Sequence, residues 1–410
     1  MKKNKKVFDI ICYLAIMVAA VLFLYIGNRI AVKGLAAFTQ NNNQTIEAKV
    51  TKIVSITNPN DNSDNSADYG AVSNDDGDRD ITFEAVYKQG MSDKYITAVQ
   101  NVTAYYSNDA KDVEVGNKVI LSLFPEDNQW HFIDYVRLDK ILILGAVFLV
   151  LLIFFGRVKG VNAILSLCFT CVAIFEVFIP ALLSGKNIYI SAIIVCIFSI
   201  IVTLFMVNGV NKKSLAAVAG CFGGVIITGL LTLFMDKVLW LTGMLNEESV
   251  YLQSLPTKNP IDLKAIIFAG ILIGAVGAVM DVAMSIASAL QELKSQAPNL
   301  KFADIFTSGV NIGKDVMGTM INTLVLAYIG ESLSVVLLLI AYSTSFIQLI
   351  NTQSIIVELL QAIIGSLGIL LTMPLTSLIC SVLYSRKNNG GSNDEDNHED
   401  DEDEFAYLKF

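Results

Sequence analysis

Long apolar runs set the pattern of this chain. At a resolution of about 19 residues, eight stand out, near 8–26, 139–156, 161–183, 188–207, 214–235, 264–290, 312–342 and 355–384. Each approaches or exceeds the ~20 helical residues that cross a ~30 Å hydrocarbon layer, so each reads as a transmembrane helix. Gly330-Glu331-Ser332 interrupts the seventh run, which leaves a tilted helix, a broken helix or two half-spans open. Between the first two runs the pattern changes to apolar–polar alternation. Runs at 45–56, 81–87, 95–106, 118–124 and 131–136 read as half-buried strands, with a turn at Val115-Gly116-Asn117 and a break at Pro125-Glu126-Asp127-Asn128.

These elements predict a mainly α membrane protein with about eight transmembrane helices and a small extracytoplasmic β-barrel or OB-like domain. The expected organisation is a membrane anchor over 1–26, the β-domain over 27–138, a helical membrane domain over 139–386 and a disordered acidic cytoplasmic tail over 387–410. Residues 1–30 could also be read as a secretory signal, but the apolar core is long for one and no clear small-residue cleavage site follows. An uncleaved anchor is the reading adopted.

Charge fixes the expected orientation. Lys2, Lys3, Lys5 and Lys6 precede the first run, and Arg157 and Lys159 follow the second. Lys212 and Lys213 follow the fourth, Lys294 and Lys301 the sixth, and Arg386 and Lys387 the last. The intervening loops are poorer in Lys and Arg close to the membrane, with Lys186 and Lys258 as mild exceptions. The positive-inside rule then places both termini in the cytoplasm of a multi-pass cell-membrane protein. The net charge of −9 does not bear on this, because nine acids between Asp394 and Glu404 account for all of it.

Acids inside apolar runs mark the candidate chemistry. On a helix, Gly270, Gly274, Gly277, Asp281, Ser285, Ser288 and Glu292 fall within about 40° of one line. The next run places Asp315, Thr319 and Asn322 on one face, with Gly318 beside it. An ionised Asp at the bilayer centre costs at least about 2.5–3.5 kcal/mol, so it should face protein, water or an ion. Asp281, Ser285, Asp315, Thr319 and Asn322 are therefore ion- or substrate-binding candidates, together with Glu176 in the third run. Gly270, Gly274, Gly277, Gly318 and Gly330 are candidates for close helix packing or a hinge, and Gly220-Cys-Phe-Gly-Gly224 offers the same close approach in the fifth run. The plainer reading of the hydroxyls and amide is interhelical hydrogen bonding, about 0.6–2 kcal/mol each. That reading suits Asp281 poorly, since Ser or Asn would do the same at lower desolvation cost. Pairing with another helix, or an interfacial position, is the plainer reading of Glu176.

Other chemistries are thinly supported. All six cysteines fall in apolar runs, so no disulfide framework is implied, and Cys168-Phe-Thr-Cys171 has no second pair or His beside it. Gly309-Val-Asn-Ile-Gly313-Lys314-Asp315 lacks the spacing and the hydroxyl residue of a Walker A loop. The acidic loop at 58–80 fails the EF-hand pattern, because Val72 stands where the first carboxylate belongs, and it reads as a flexible connection. Asp281 and Asp315 sit on consecutive runs, as in intramembrane aspartyl proteases. Met280 and Lys314 precede them, however, where that family has Tyr and Gly. No enzyme activity, metal or cofactor is expected.

Gly277-Ala-Val-Met-Asp281-Val-Ala-Met-Ser-Ile-Ala-Ser288 and the segment from Gly313-Lys-Asp315 through Asn322 to Tyr328-Ile-Gly330 resemble the hallmark segments of the bacterial YibE/F-like membrane protein family. The resemblance implies a multi-pass inner-membrane protein of transporter type without an agreed substrate. Combined with the residues, it gives the leading expectation of a secondary transporter or exporter, coupled to an ion or proton through Asp281. The alternative is a non-transporting receptor, assembly or regulatory protein that uses the external β-domain. Expected partners are the lipid bilayer, a small solute or ion, and an envelope or cytoplasmic protein, the last engaged by the acidic tail or its apolar end at 405–410. Nucleic acid is not among them.

Overall fold

The computed structural model describes residues 2–33, 44–57, 79–89, 92–102, 111–124, 128–245, 247–255, 260–342 and 345–385. The acidic loop at 58–78, the end of the third expected strand at 103–106 and the tail after Ser385 lie outside the described residues. The chain divides into two compact units, 37–160 and a second built from 1–36 with 161–410.

The smaller unit is a closed five-stranded barrel of β1 (Thr45–Thr57), β2 (Arg79–Gln89), β3 (Ser92–Val102), β4 (Lys118–Phe124) and β5 (Gln129–Tyr135). The strands run β1-β2-β3-β5-β4 around the barrel and back to β1, with β3–β5 the single parallel pairing. This is the Greek-key order expected of an OB-like barrel. β1 is long enough to pair with both β2 and β4, and register shifts between Val50 and Lys52 and between Ile53 and Ser55 bend it to do so. Alternation places Val50, Phe83, Ala85, Ala98, Val119 and Leu121 in the interior. Gln100, 4% exposed, closes one side by accepting from the Val113 amide and donating to the Lys111 carbonyl.

The larger unit is helical. It contains α1 (Lys2–Ala31) and the second part of α2 (Leu138–Val172), which continues through a π-helical turn (Ala173–Phe178) into α3 (Ile179–Leu183). Then come α4 (Ile188–Asn208), α5 (Lys212–Val238), α6 (Glu247–Ser254), α7 (Leu263–Gln296), α8 (Phe302–Tyr342), α9 (Phe346–Ile350) and α10 (Gln353–Ser385). Seven stretches of helix among the described residues are long and apolar enough to cross a membrane, and one of them, Leu138–Leu183, runs for 46 residues. The second and third expected runs are therefore joined, but not smoothly. Arg157 has φ 48° and ψ −129°, a backbone break that separates two apolar lengths.

α5, α7 and α10 form the centre of the helical unit. Gly220 and Gly224 of α5 face Thr376 and Thr372 of α10 so closely that an added Cβ would lie 2.1 and 1.9 Å from their hydroxyl oxygens. Val279 of α7 closes the third side, 3.1 Å from the same point at Gly224. Two of the buried hydroxyls here bond locally, Thr228 donating to the Gly224 carbonyl and Thr372 to the Gly368 carbonyl, whereas the Thr376 hydroxyl against Gly220 is buried without a partner. The close approach expected at Gly220–Gly224 is thus present, and it is made by glycine against threonine.

Candidate functional site

Asp281 sits in the body of α7, a helix capped by the Asp262 carboxylate on the Lys264 and Ala265 amides. Leu272, Val279, Val282, Ile286 and Leu290 cover the buried face of α7. Gly270, Gly274, Gly277 and Asp281 lie on the exposed face, while Ser285 and Ser288 are half-buried at its edge. Asp281 makes no hydrogen bond or ion pair among the described residues.

α8 runs antiparallel to α7. An added Cβ at Gly313 would meet Ile286, one at Gly309 would meet Leu290, and one at Gly274 would meet Tyr328. That register brings Thr319 level with Asp281 and Asp315 level with Ser285. The two polar stripes thus share one depth, but they do not close on each other. Ile305, Gly309, Gly313 and Tyr328 are buried, whereas Asp315, Gly318, Thr319 and Asn322 are exposed on the opposite face of α8. No hydrogen bond joins the two sets: Thr319 donates back to the Val316 carbonyl, and Asp315 and Asn322 bond nothing among the described residues. The two polar stripes thus form two open faces at one level. The cause is α10, whose pairing with α8 uses the small and apolar face and turns the polar one away.

Glu176 stands apart, in the π-helical turn. Its carboxylate accepts from Asn28 Nδ2 of α1 at 2.7 Å, and the same nitrogen donates to the Glu176 carbonyl at 3.0 Å. This is the helix-pairing role, and Asn28, the partner, was not singled out from the sequence. Gly330 is also not a hinge in this conformation, because α8 continues unbroken from Phe302 to Tyr342. A Cβ added at Gly277, Gly318 or Gly330 would meet nothing within 4 Å, so the close packing expected of the glycine stripe is confined to Gly274 and, more loosely, Gly270.

The barrel unit carries its own concavity, a groove of about 930 Å³ lined by Gln100, Lys111, Asn117, Tyr135, Arg137 and Lys140 among others. Its charges are partly paired. Arg137 donates to Asp134 at 2.6 Å and holds that carboxyl below the usual range, while the Asp139 carboxylate accepts from Lys118 and raises the lysine. No group of three or more His, Cys, Asp or Glu side chains converges to hold a metal among the described residues. The cysteines are free.

A family model described as YibE/F-like protein matches residues 144–386, from the first part of α2 through α10. The chain belongs to this family. No curated protein and no solved structure matches it.

Proposed function

We propose that this YibE/F-like protein is a secondary transporter or exporter of the cell membrane, coupled to an ion or proton at Asp281, with both termini cytoplasmic. One observation carries the reading. Asp281 is exposed and unpaired in the middle of an apolar helix, where a carboxylate facing lipid would cost at least about 2.5–3.5 kcal/mol. A purely structural acid in that position would be expected to hold a partner, as Glu176 holds Asn28. Ser285 on α7, with Asp315, Thr319 and Asn322 at the same level on the outward face of α8, would supply further oxygens along the path. The family match supports the helical architecture, and the absence of a phosphate-binding loop in the sequence favours gradient coupling. No catalytic role enters this reading.

The test is reconstitution in liposomes loaded with a pH-sensitive dye and challenged with a panel of ions. Asp281→Asn, nearly isosteric, should abolish coupled flux and its pH dependence while leaving insertion and thermal stability intact. A stable variant that transports like the parent would eliminate the site. The groove on the barrel favours a second reading, a receptor or assembly protein that binds an envelope component there. Absence of flux for every ion tested, with the parent protein folded, would turn the choice to that reading.

A further inference from the structure

A second set of oxygen groups gathers where α7, α8 and α10 meet, away from Asp281. α8 and α10 are antiparallel: a Cβ added at Gly309 would meet Ser377, one at Gly313 Met373, and one at Gly365 both Leu324 and Tyr328. Continuing that register brings Glu331 of α8 level with Glu358 of α10. Tyr328 and Glu331 lie three residues apart on one face of α8, and Glu358, Gln361 and Gly365 share one face of α10. α7 completes the cluster with two glycines. Gln361 Nε2 lies 3.8 Å from a Cβ position on Gly270, and the Tyr328 hydroxyl 2.6 Å from one on Gly274.

Tyr328 is the informative member. It is 7% exposed, yet its hydroxyl, fully removed from solvent, has no hydrogen-bond partner. A buried polar atom left unpaired costs about 1–3 kcal/mol. Both carboxylates act electrostatically on the phenol, and Glu331 on Glu358. Neither carboxylate makes a hydrogen bond among the described residues. Glu358 is half-buried and Glu331 is exposed, so the cluster has an open side. Two like charges level with each other on neighbouring apolar helices repel until something neutralises them.

The geometry points to a binding site for one hard divalent cation of the magnesium type, formed by Glu331, Glu358 and the Gln361 amide oxygen, with Tyr328 holding a carboxylate in place. The two carboxylates balance a charge of +2, and every available donor is oxygen, which suits Mg²⁺ and excludes metals that seek thiolate or imidazole. Mg²⁺ keeps several waters and is commonly held by one or two carboxylates, so the small donor set and the open side fit it. Drawing the carboxylates together on an ion would give the Tyr328 hydroxyl the acceptor it lacks. Gly274 leaves room for the phenol and so belongs to the site, whereas a side chain at Gly270 would only be in ordinary contact with Gln361. This inference does not depend on transport through Asp281.

The test uses the full chain in detergent, with Mn²⁺ as an electron paramagnetic resonance probe and Mg²⁺ as competitor. The parent should bind one Mn²⁺ that Mg²⁺ displaces. Glu358→Gln and Glu331→Gln should each weaken binding about tenfold or more, and Tyr328→Phe, which removes only the orphan hydroxyl, should weaken it several-fold or more. Glu292→Gln, at an exposed carboxylate of α7 outside both sites, should bind as the parent does. Should a glutamine variant fail to fold, Tyr328→Phe decides alone, since it deletes one oxygen from an otherwise unchanged side chain. Absence of saturable Mn²⁺ binding, or binding unmoved by these substitutions, would overturn the site. A thermal midpoint that responds at Glu358 to protons but not to Mg²⁺ or Mn²⁺ would equally overturn it, by assigning the pair to a proton.

Discussion

A methyl group added at Gly224 would lie 1.9 Å from the Thr372 hydroxyl oxygen, whereas one added at Gly277 would meet nothing within 4 Å. Both glycines are helical, so the intrinsic gain of Ala over Gly, about 0.5–1 kcal/mol, is common to both. Overpacking, about 1–3 kcal/mol, applies at Gly224 alone. Gly224→Ala should therefore lower the thermal midpoint in detergent and Gly277→Ala should hold or raise it; equal effects would show that the α5–α10 contact is looser than described. Asp134 permits a prediction in pH. Its hydrogen bond from Arg137 leads the causes that depress its pKa, so its contribution to stability is present above the ordinary carboxylate value and is lost as pH falls through the folded value. Arg137→Ala should thus be less stable than the parent at neutral pH, with the difference shrinking in acid. Trp130 fluorescence reads this in a Trp240→Phe background, since the chain has two tryptophans. At this scale the sequence showed which residues are polar but not which way they face. Asp315, Thr319 and Asn322 form a stripe in any helix; that it points outward is decided by α10, some forty residues away along the chain. Tyr328, Glu358 and Gln361 were missed for the same reason. The available signal was the spacing of Glu358, Gln361 and Gly365 on one face of an apolar helix.

Elements were far more legible, because hydropathy and alternation are local. β4 at Lys118–Phe124 begins and ends where the alternation does, and the apolar runs became α4, α5, α7, α8 and α10 with longer ends. The ends extend because helix capping is finer than a hydropathy window: Asp262 starts α7 before its apolar run begins. Gly330-Glu331-Ser332 suggested a break, yet α8 is continuous, since one glycine costs a helix only about 1 kcal/mol and Ser332 donates back to the Tyr328 carbonyl. The true break is at Arg157, where a non-glycine residue at φ 48° and ψ −129° carries strain of about 1–3 kcal/mol. Gly156 and Gly160 flank it, and a Cβ at Gly160 would lie 2.3 Å from the Leu152 carbonyl oxygen. Arg157→Gly should relieve that strain and raise the thermal midpoint, while Gly160→Val should lower it. If Arg157→Gly lowers the midpoint instead, the arginine side chain matters more than its backbone.

For the whole molecule, the proposed orientation rests on where Lys and Arg collect. Arg157 and Lys159 lie at the break in α2, Lys212 and Lys213 open α5, and Lys294 closes α7, so the basic ends alternate with poorer ones along the chain. Moving such a cluster across a bilayer is disfavoured, and an even number of crossings returns the chain to the side on which it began. The break at Arg157 is essential to this count, because it would divide one 46-residue apolar stretch into two crossings. The barrel would then lie outside and both termini inside. In a background with all six native cysteines replaced, Ser92→Cys, at an exposed position opening β3, should react with an impermeant maleimide on intact cells. Asn389→Cys should react only after permeabilisation. If both sites label from outside, the number of crossings is odd and the helix continues through Arg157 as one span. If only Asn389→Cys labels, the positive-inside argument fails for this chain, and the direction of any transport through Asp281 is reversed with it.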